Sequence, residues 1–280
     1  MAHLESHRGR STPKFTSLLL SRSPWLKLTQ VGNWASTLLV MGLLLTWEWG
    51  VYSQIISPLY FPAPSFIFNT ILKQMIKGAL LEHTTATLWR MLWGLLVGGM
   101  AGLILGLAMG WSHRLRSVLD PLVAAIHPLP KIALLPLIMV IFGVGDLSFE
   151  IVIATGAFFP LLINTMAGVA QIQPIYFEVA QNYQAGLLKI FQRIIWPGSL
   201  PLILVGLRLA LNTTLLLAVA VEMIGAQTGL GAMIWMAWTT MRVEEVYVSL
   251  SIILGLGMSM NLLLNYAHQR WVPWQISPPT

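Results

Sequence analysis

The stretch EVAQNYQAGLLKIFQRIIWPGSLP, Glu178 to Pro201, is the one sizeable polar insertion in the second half of a chain otherwise made of long apolar runs. Glu178 and Ala180 open a polar helical run, and Gly186 punctuates it. Phe191, Ile194 and Ile195 follow at three- and four-residue spacing until Trp196-Pro197 closes the pattern. This spacing predicts a short amphipathic helix, a turn and a second helix. A membrane protein that keeps such a loop is expected to present it to a partner.

The runs on either side of the loop identify the solvent. Hydrophobic residues make up 56% of the chain and charged residues 9%, and the mean hydropathy is +0.73. Soluble domains average roughly 25% charged residues, so these few charges cannot cover a soluble surface. Runs of about 20 apolar residues are long enough to cross a bilayer, and six are expected, at about 34–53, 86–111, 121–143, 150–170, 199–222 and 245–267. The fold class that follows is an all-α membrane protein with six transmembrane helices. The absence of cysteine excludes disulfides and thiolate metal sites.

The distribution of the +6 net charge argues for a membrane orientation and against a nucleic-acid partner. Arg8, Arg10, Lys14, Arg22, Lys27, Arg114, Arg116, Lys189, Arg193 and Arg270 fall on one side, whereas Lys73, Lys77, Arg90 and Arg242 fall on the other. The positive-inside rule then places both termini and the Glu178 loop in the cytoplasm. Residues 1–33 read as a basic tail and not a signal peptide, because the first apolar run starts only near Trp34.

Three further features bear on function. After the first span, LYFPAPS (Leu59–Ser65) leads into apolar residues at near-helical spacing from Phe66 to Lys77, consistent with a peripheral helix or a mere connector. Gly94, Gly98, Gly99, Gly102, Gly106 and Gly110 recur at about four-residue spacing, which lets membrane helices approach closely, either within one subunit or across a dimer interface. Charges inside spans cost roughly 2.5–3.5 kcal/mol on insertion scales and mark pathways or structural pairs. Lys131, between Pro130 and Pro136, and Arg208, followed by Asn212, are the candidate path residues, with snorkelling or a structural ion pair as the alternative. Glu48 and Glu222 sit near span ends, where an interfacial role is expected. No Gly-Lys pair exists to end a phosphate-binding loop, so nucleotide chemistry must lie elsewhere. The six histidines, at 3, 7, 83, 113, 127 and 268, are too scattered to form a metal site.

The Glu178 segment resembles the EAA signature of permease subunits in binding-protein-dependent ABC importers. An ordered set of motifs accompanies it: LYFPAPS, His83 and Arg90, Gly110-Trp111-Ser112, Leu119-Asp120-Pro121, PLPKIALLPL (Pro128–Leu137), FGVG (Phe142–Gly145), GLRLALN (Gly206–Asn212), VEMIGAQTGLGAMI (Val221–Ile234) and RWVPW (Arg270–Trp274). Together they resemble permeases for aliphatic sulphonates, taurine and nitrate over roughly residues 58–274.

The resemblance implies a five-helix permease core at 84–268. Residues 34–83 would be a first helix and outer loop, and 269–280 a cytoplasmic tail. It assigns Glu178, Ala180, Gln184, Gly186 and Pro197 to ATPase coupling. It implies a bacterial-type inner membrane, partner ABC ATPases that bind ATP and Mg, a second permease subunit (a homodimer), an external solute-binding protein, and no cofactor or metal on this chain. A small oxyanion is the implied solute. A secondary carrier without an ATPase, or a membrane-embedded enzyme, would instead need internal repeats, a mid-span acid or clustered polar groups. One departure stands out. Gln184 occupies the position, six residues after the glutamate, where the family has glycine, so either Gln184 keeps an ordinary backbone or the turn and its positive φ move to Gly186.

Overall fold

The computed structural model describes residues 25–274, and among them every regular element is helical. The order is α1 (Trp25–Tyr52), α2 (Pro64–Ile76), α3 (Ala79–Trp111), α4 (His113–Ile126), a 3-10 turn (Lys131–Leu134), α5 (Leu135–Phe142), α6 (Asp146–Ala170), α7 (Pro174–Asn182), α8 (Leu187–Ile190), a π turn (Phe191–Ile195), α9 (Trp196–Gly225), α10 (Leu230–Thr239) and α11 (Val243–Trp271). Five helices are long and apolar enough to cross a membrane, and α4 with α5 makes a sixth if the bent pair counts as one span.

Two units divide at Thr46. In the first, the side chains of α1 from Trp34 to Thr46 are all exposed. Helix α1 starts at Trp25, inside the stretch expected to be tail; the rest of that tail lies outside the described residues.

The second unit is built on α3, α6 and α9. The glycine run of α3 lies against α6 of the same subunit. A Cβ at Gly98 would sit 1.9 Å from the Ala154 carbonyl oxygen, and one at Gly102 would sit 2.3 Å from that of Phe158. At Gly106 it would lie 2.6 Å from the Leu162 carbonyl oxygen. Small residues at this spacing let the two backbones meet, so the run's job is intrasubunit packing. Met91, Leu135, Phe149, Val152 and Val221 fill the adjoining core.

The expected third span is broken. Pro128 and Pro130 remove backbone donors just where α4 ends, and the chain turns by 87° before α5. The loop helix, conversely, does not stop at Trp196-Pro197. Pro197 has no N–H to give the preceding turn, and the ladder widens there into a π turn, with Trp196 N–H donating to the Phe191 carbonyl. Helical structure thus runs from Leu187 to Gly225. Helix α10 was not expected, because ten residues are too few to read as a span. Helix α2 forms as expected. Its N-cap, Ala63, has no side-chain acceptor, and Glu48 supplies one from α1 by accepting from Ser65 N–H at 3.0 Å and from Ser65 Oγ at 2.6 Å.

Candidate functional site

The Glu178 loop joins α6 to α9 at one end of the bundle. Helix α7 closes with paired backbone bonds, Ala185 N–H to the Ala180 carbonyl at 2.9 Å and Gln184 N–H to the Gln181 carbonyl at 2.9 Å. This is the 6→1 and 5→2 pattern of a Schellman cap, whose C′ residue must be left-handed. That residue is Gln184, with φ +50°. Gly186 has φ −66°, in the extended N-cap of α8.

The structure therefore overturns both alternatives read from sequence. The turn has not moved, and Gln184 adopts the conformation for which glycine is suited. Gln184→Gly is expected to raise stability by about 1 kcal/mol, because a left-handed side-chain-bearing residue costs about that much. Gly186→Val should stay within about 0.5 kcal/mol, since nothing lies within 4 Å of an added Cβ. Thermal unfolding of the two variants in detergent checks this, and the opposite ranking would contradict it.

Ala180 is buried inside the loop, whereas Glu178 is exposed. Ile175, Tyr176, Val179, Tyr183, Leu187 and Leu188 are all exposed and form an apolar face around them. Ile175, Val179, Ala185 and Ile190 line a groove of about 510 Å³ between α7 and α8. A second groove, of about 390 Å³, brings Pro197 together with Gln171, Tyr176, Arg193 and Trp274, so the closing RWVPW motif reaches the base of the loop.

The sequence-derived path residues do not form one cluster. Lys131 opens the 3-10 turn at the α4/α5 bend. Its Nζ donates to the His127 carbonyl and lies 5.4 Å from the Phe159 ring centroid. Arg208 and Asn212 lie one turn apart on α9, and Arg208 Nη2 donates to Asn265 Oδ1 of α11. No hydrogen bond or ion pair among the described residues links Lys131 to either of them. Neither Lys131 nor Arg208 has a carboxylate partner among the described residues, which removes the structural ion-pair reading.

Sequence reasoning missed the most elaborate polar site. Arg90, counted outside, lies in α3 and is buried, and Glu222, expected at the interface, is 1% exposed. Glu222 accepts from Arg90 Nη1 at 3.0 Å, Thr87 Oγ1 at 2.9 Å and Gly231 N–H at 3.0 Å. Arg90 also donates through Nη1 to the Thr228 carbonyl at 2.6 Å and through Nε to Asp146 Oδ1 at 2.8 Å. Gly229, at φ +125°, leaves room for that carboxylate, because a Cβ there would lie 2.3 Å from Glu222 Cδ. This clasp ties α3, the start of α6 and the α9–α10 connection together, and all its ionic members are satisfied. The expected 86–111 span already contained Arg90, so the signal was an intramembrane arginine in need of a counter-ion.

Residues 98–274 match the family described as binding-protein-dependent transport system inner membrane component. The chain is 32% identical over 240 residues to the taurine transport system permease protein TauC of Escherichia coli (strain K12), which covers 84% of this chain and 87% of that protein. It is 28% identical over 274 residues to a Bacillus subtilis (strain 168) protein named as an aliphatic sulfonates transport permease, SsuC, covering 98% of this chain and 99% of that one. Among solved structures, an inward-facing MetNI methionine ABC transporter superposes with a TM-score of 0.51 at 18% identity, over 68% of this chain and 95% of that one. At that identity the likeness is one of fold.

Proposed function

Because the chain belongs to the family of binding-protein-dependent transport system inner membrane components, we propose that it lines the path of a small oxyanion such as a sulphonate, and that its α7–α8 loop is the seat of an ATPase. The chain is a multi-pass inner-membrane permease subunit of an ABC importer. It is not itself an enzyme; hydrolysis belongs to separate ATPase subunits and solute delivery to a binding protein. On this reading two copies of the chain enclose the path, and ATP with Mg acts only on the ATPases. The loop end and both termini face the cytoplasm. The single observation carrying the coupling role is the Schellman-closed loop, which holds an exposed apolar face and Glu178 in fixed register at the joint between α6 and α9.

The path role falls to Lys131, Arg208 and Asn212. Among the described residues Arg208 Nε has no hydrogen-bond partner, so the guanidinium keeps a donor unspent. The most deeply buried acid, Glu222, is committed to Arg90, which leaves it unavailable for the ion coupling of a secondary carrier. Lys131→Met and Arg208→Met are each expected to lower ATP-driven uptake of taurine or an alkanesulphonate about tenfold, the loss of one charge-assisted hydrogen bond. Yield of assembled complex should hold, because no carboxylate is stranded. Unchanged uptake in both variants would contradict the path assignment.

A further inference from the structure

The asparagines of α6, α9 and α11 are Asn164, Asn212, Asn261 and Asn265. Asn164 Nδ2 donates to the Pro160 carbonyl at 2.8 Å, and Asn261 Nδ2 donates to the Gly257 carbonyl at 2.9 Å. These two amides are spent on the preceding turn of their own helix. Asn212 and Asn265 are exposed, and neither amide donates to any described residue.

Asn265 has one partner, Arg208. A guanidinium only donates, so the amide oxygen is the atom that meets Arg208 Nη2, and both hydrogens of Asn265 Nδ2 stay unspent. Of the guanidinium nitrogens only Nη2 has a partner among the described residues. A neutral amide thus orients Arg208 and leaves its charge uncancelled. If the contact served only to tie α9 to α11, an aspartate at 265 would do so at least as well, because a charge-assisted hydrogen bond is the stronger one.

We infer that Asn265 sets the anion specificity of the path, by holding the Arg208 guanidinium uncompensated and by donating its own amide N–H to the same oxyanion. This rests on the path reading above and adds α11 to it. Arg208 Nε, Asn265 Nδ2 and the Asn212 amide, one turn along α9 from Arg208, then offer donors from three side chains. A sulphonate, fully ionised and carrying three acceptor oxygens, matches such a set, whereas a cationic solute meets a charge of its own sign.

The test is ATP-driven uptake of ethanesulphonate by the assembled importer, scaled to the amount of complex, with Asn265→Asp and Asn265→Gln beside Arg208→Met. Asn265→Asp should keep complex yield and thermal midpoint, because Arg208 retains an acceptor. It should lower the maximal uptake rate about tenfold, the effect of cancelling one charge-assisted contact. Asn265→Gln, which keeps the amide and adds one methylene, should stay within about threefold of wild type. Normal uptake by Asn265→Asp while Arg208→Met is impaired would overturn the role of Asn265 and leave the path reading standing. Normal uptake by Arg208→Met would remove the path reading itself. A glutamine variant as inactive as the aspartate one would show that shape and not charge matters at 265, and would equally overturn the proposal.

Discussion

Arg90→Ala is expected to destabilise the folded chain by about 3–5 kcal/mol, because it strands a buried carboxylate without its counter-ion. Glu222 has a side chain with no solvent exposure and Arg90 one with 8%, so water cannot replace the lost partner. Glu222→Ala should also destabilise it, by removing one acceptor from Arg90 Nη1 and leaving the Gly231 N–H unmet, although Asp146 and the Thr228 carbonyl keep the guanidinium partly paired. The double variant Arg90→Ala/Glu222→Ala should be less damaging than the sum of the single substitutions, since it removes both charges together. Asp146, whose side chain is 67% exposed, gives a contrast: Asp146→Asn should cost no more than about 1 kcal/mol. Thermal midpoints and the yield of monodisperse protein read all four. Additive losses in the double variant would show that the clasp is not a coupled pair.

Gly98→Ala is expected to cost about 3 kcal/mol, the upper end of overpacking in a close-fitted core. Its added carbon would overlap the Ala154 backbone, and backbone cannot rotate aside as a side chain can. The helices must separate, and the neighbouring contacts at Gly94, Gly102 and Gly106 loosen with them. Gly255 in α11 is the control, with nothing within 4 Å of an added Cβ; Gly255→Ala should gain about 0.5–1 kcal/mol from helix propensity. Equal effects at the two sites would contradict the packing role.

Features set by local pattern were legible in the sequence: the long apolar runs, the glycine spacing of α3, the helical spacing of α2 and the helix–turn–helix of the 178–201 loop. Features set by tertiary pairing were not. Glu222 looked interfacial because its counter-ion is 132 residues away in the chain, and no local pattern links Arg90 to it. Gln184 was read through intrinsic preference, whereas closure of α7 by two backbone bonds holds it at positive φ regardless. The π turn escaped because a proline after a helical pattern normally ends it, and here the ladder widens by one residue instead. Helix α10 is short, and one face of it is buried against α9 and α11 while Trp235, Met236 and Trp238 are exposed.

The most direct test of the coupling role is copurification of the ABC ATPase with the tagged chain, wild type against Glu178→Lys. Glu178 is exposed and makes no ion pair among the described residues, so reversing its charge should leave the bundle folded. The wild-type chain is expected to bring down its ATPase in equal number with ATP hydrolysis intact, and Glu178→Lys to lose most of both at an unchanged thermal midpoint. A full complement of ATPase on the lysine variant, or a wild-type chain that transports alone without ATP, would contradict the account.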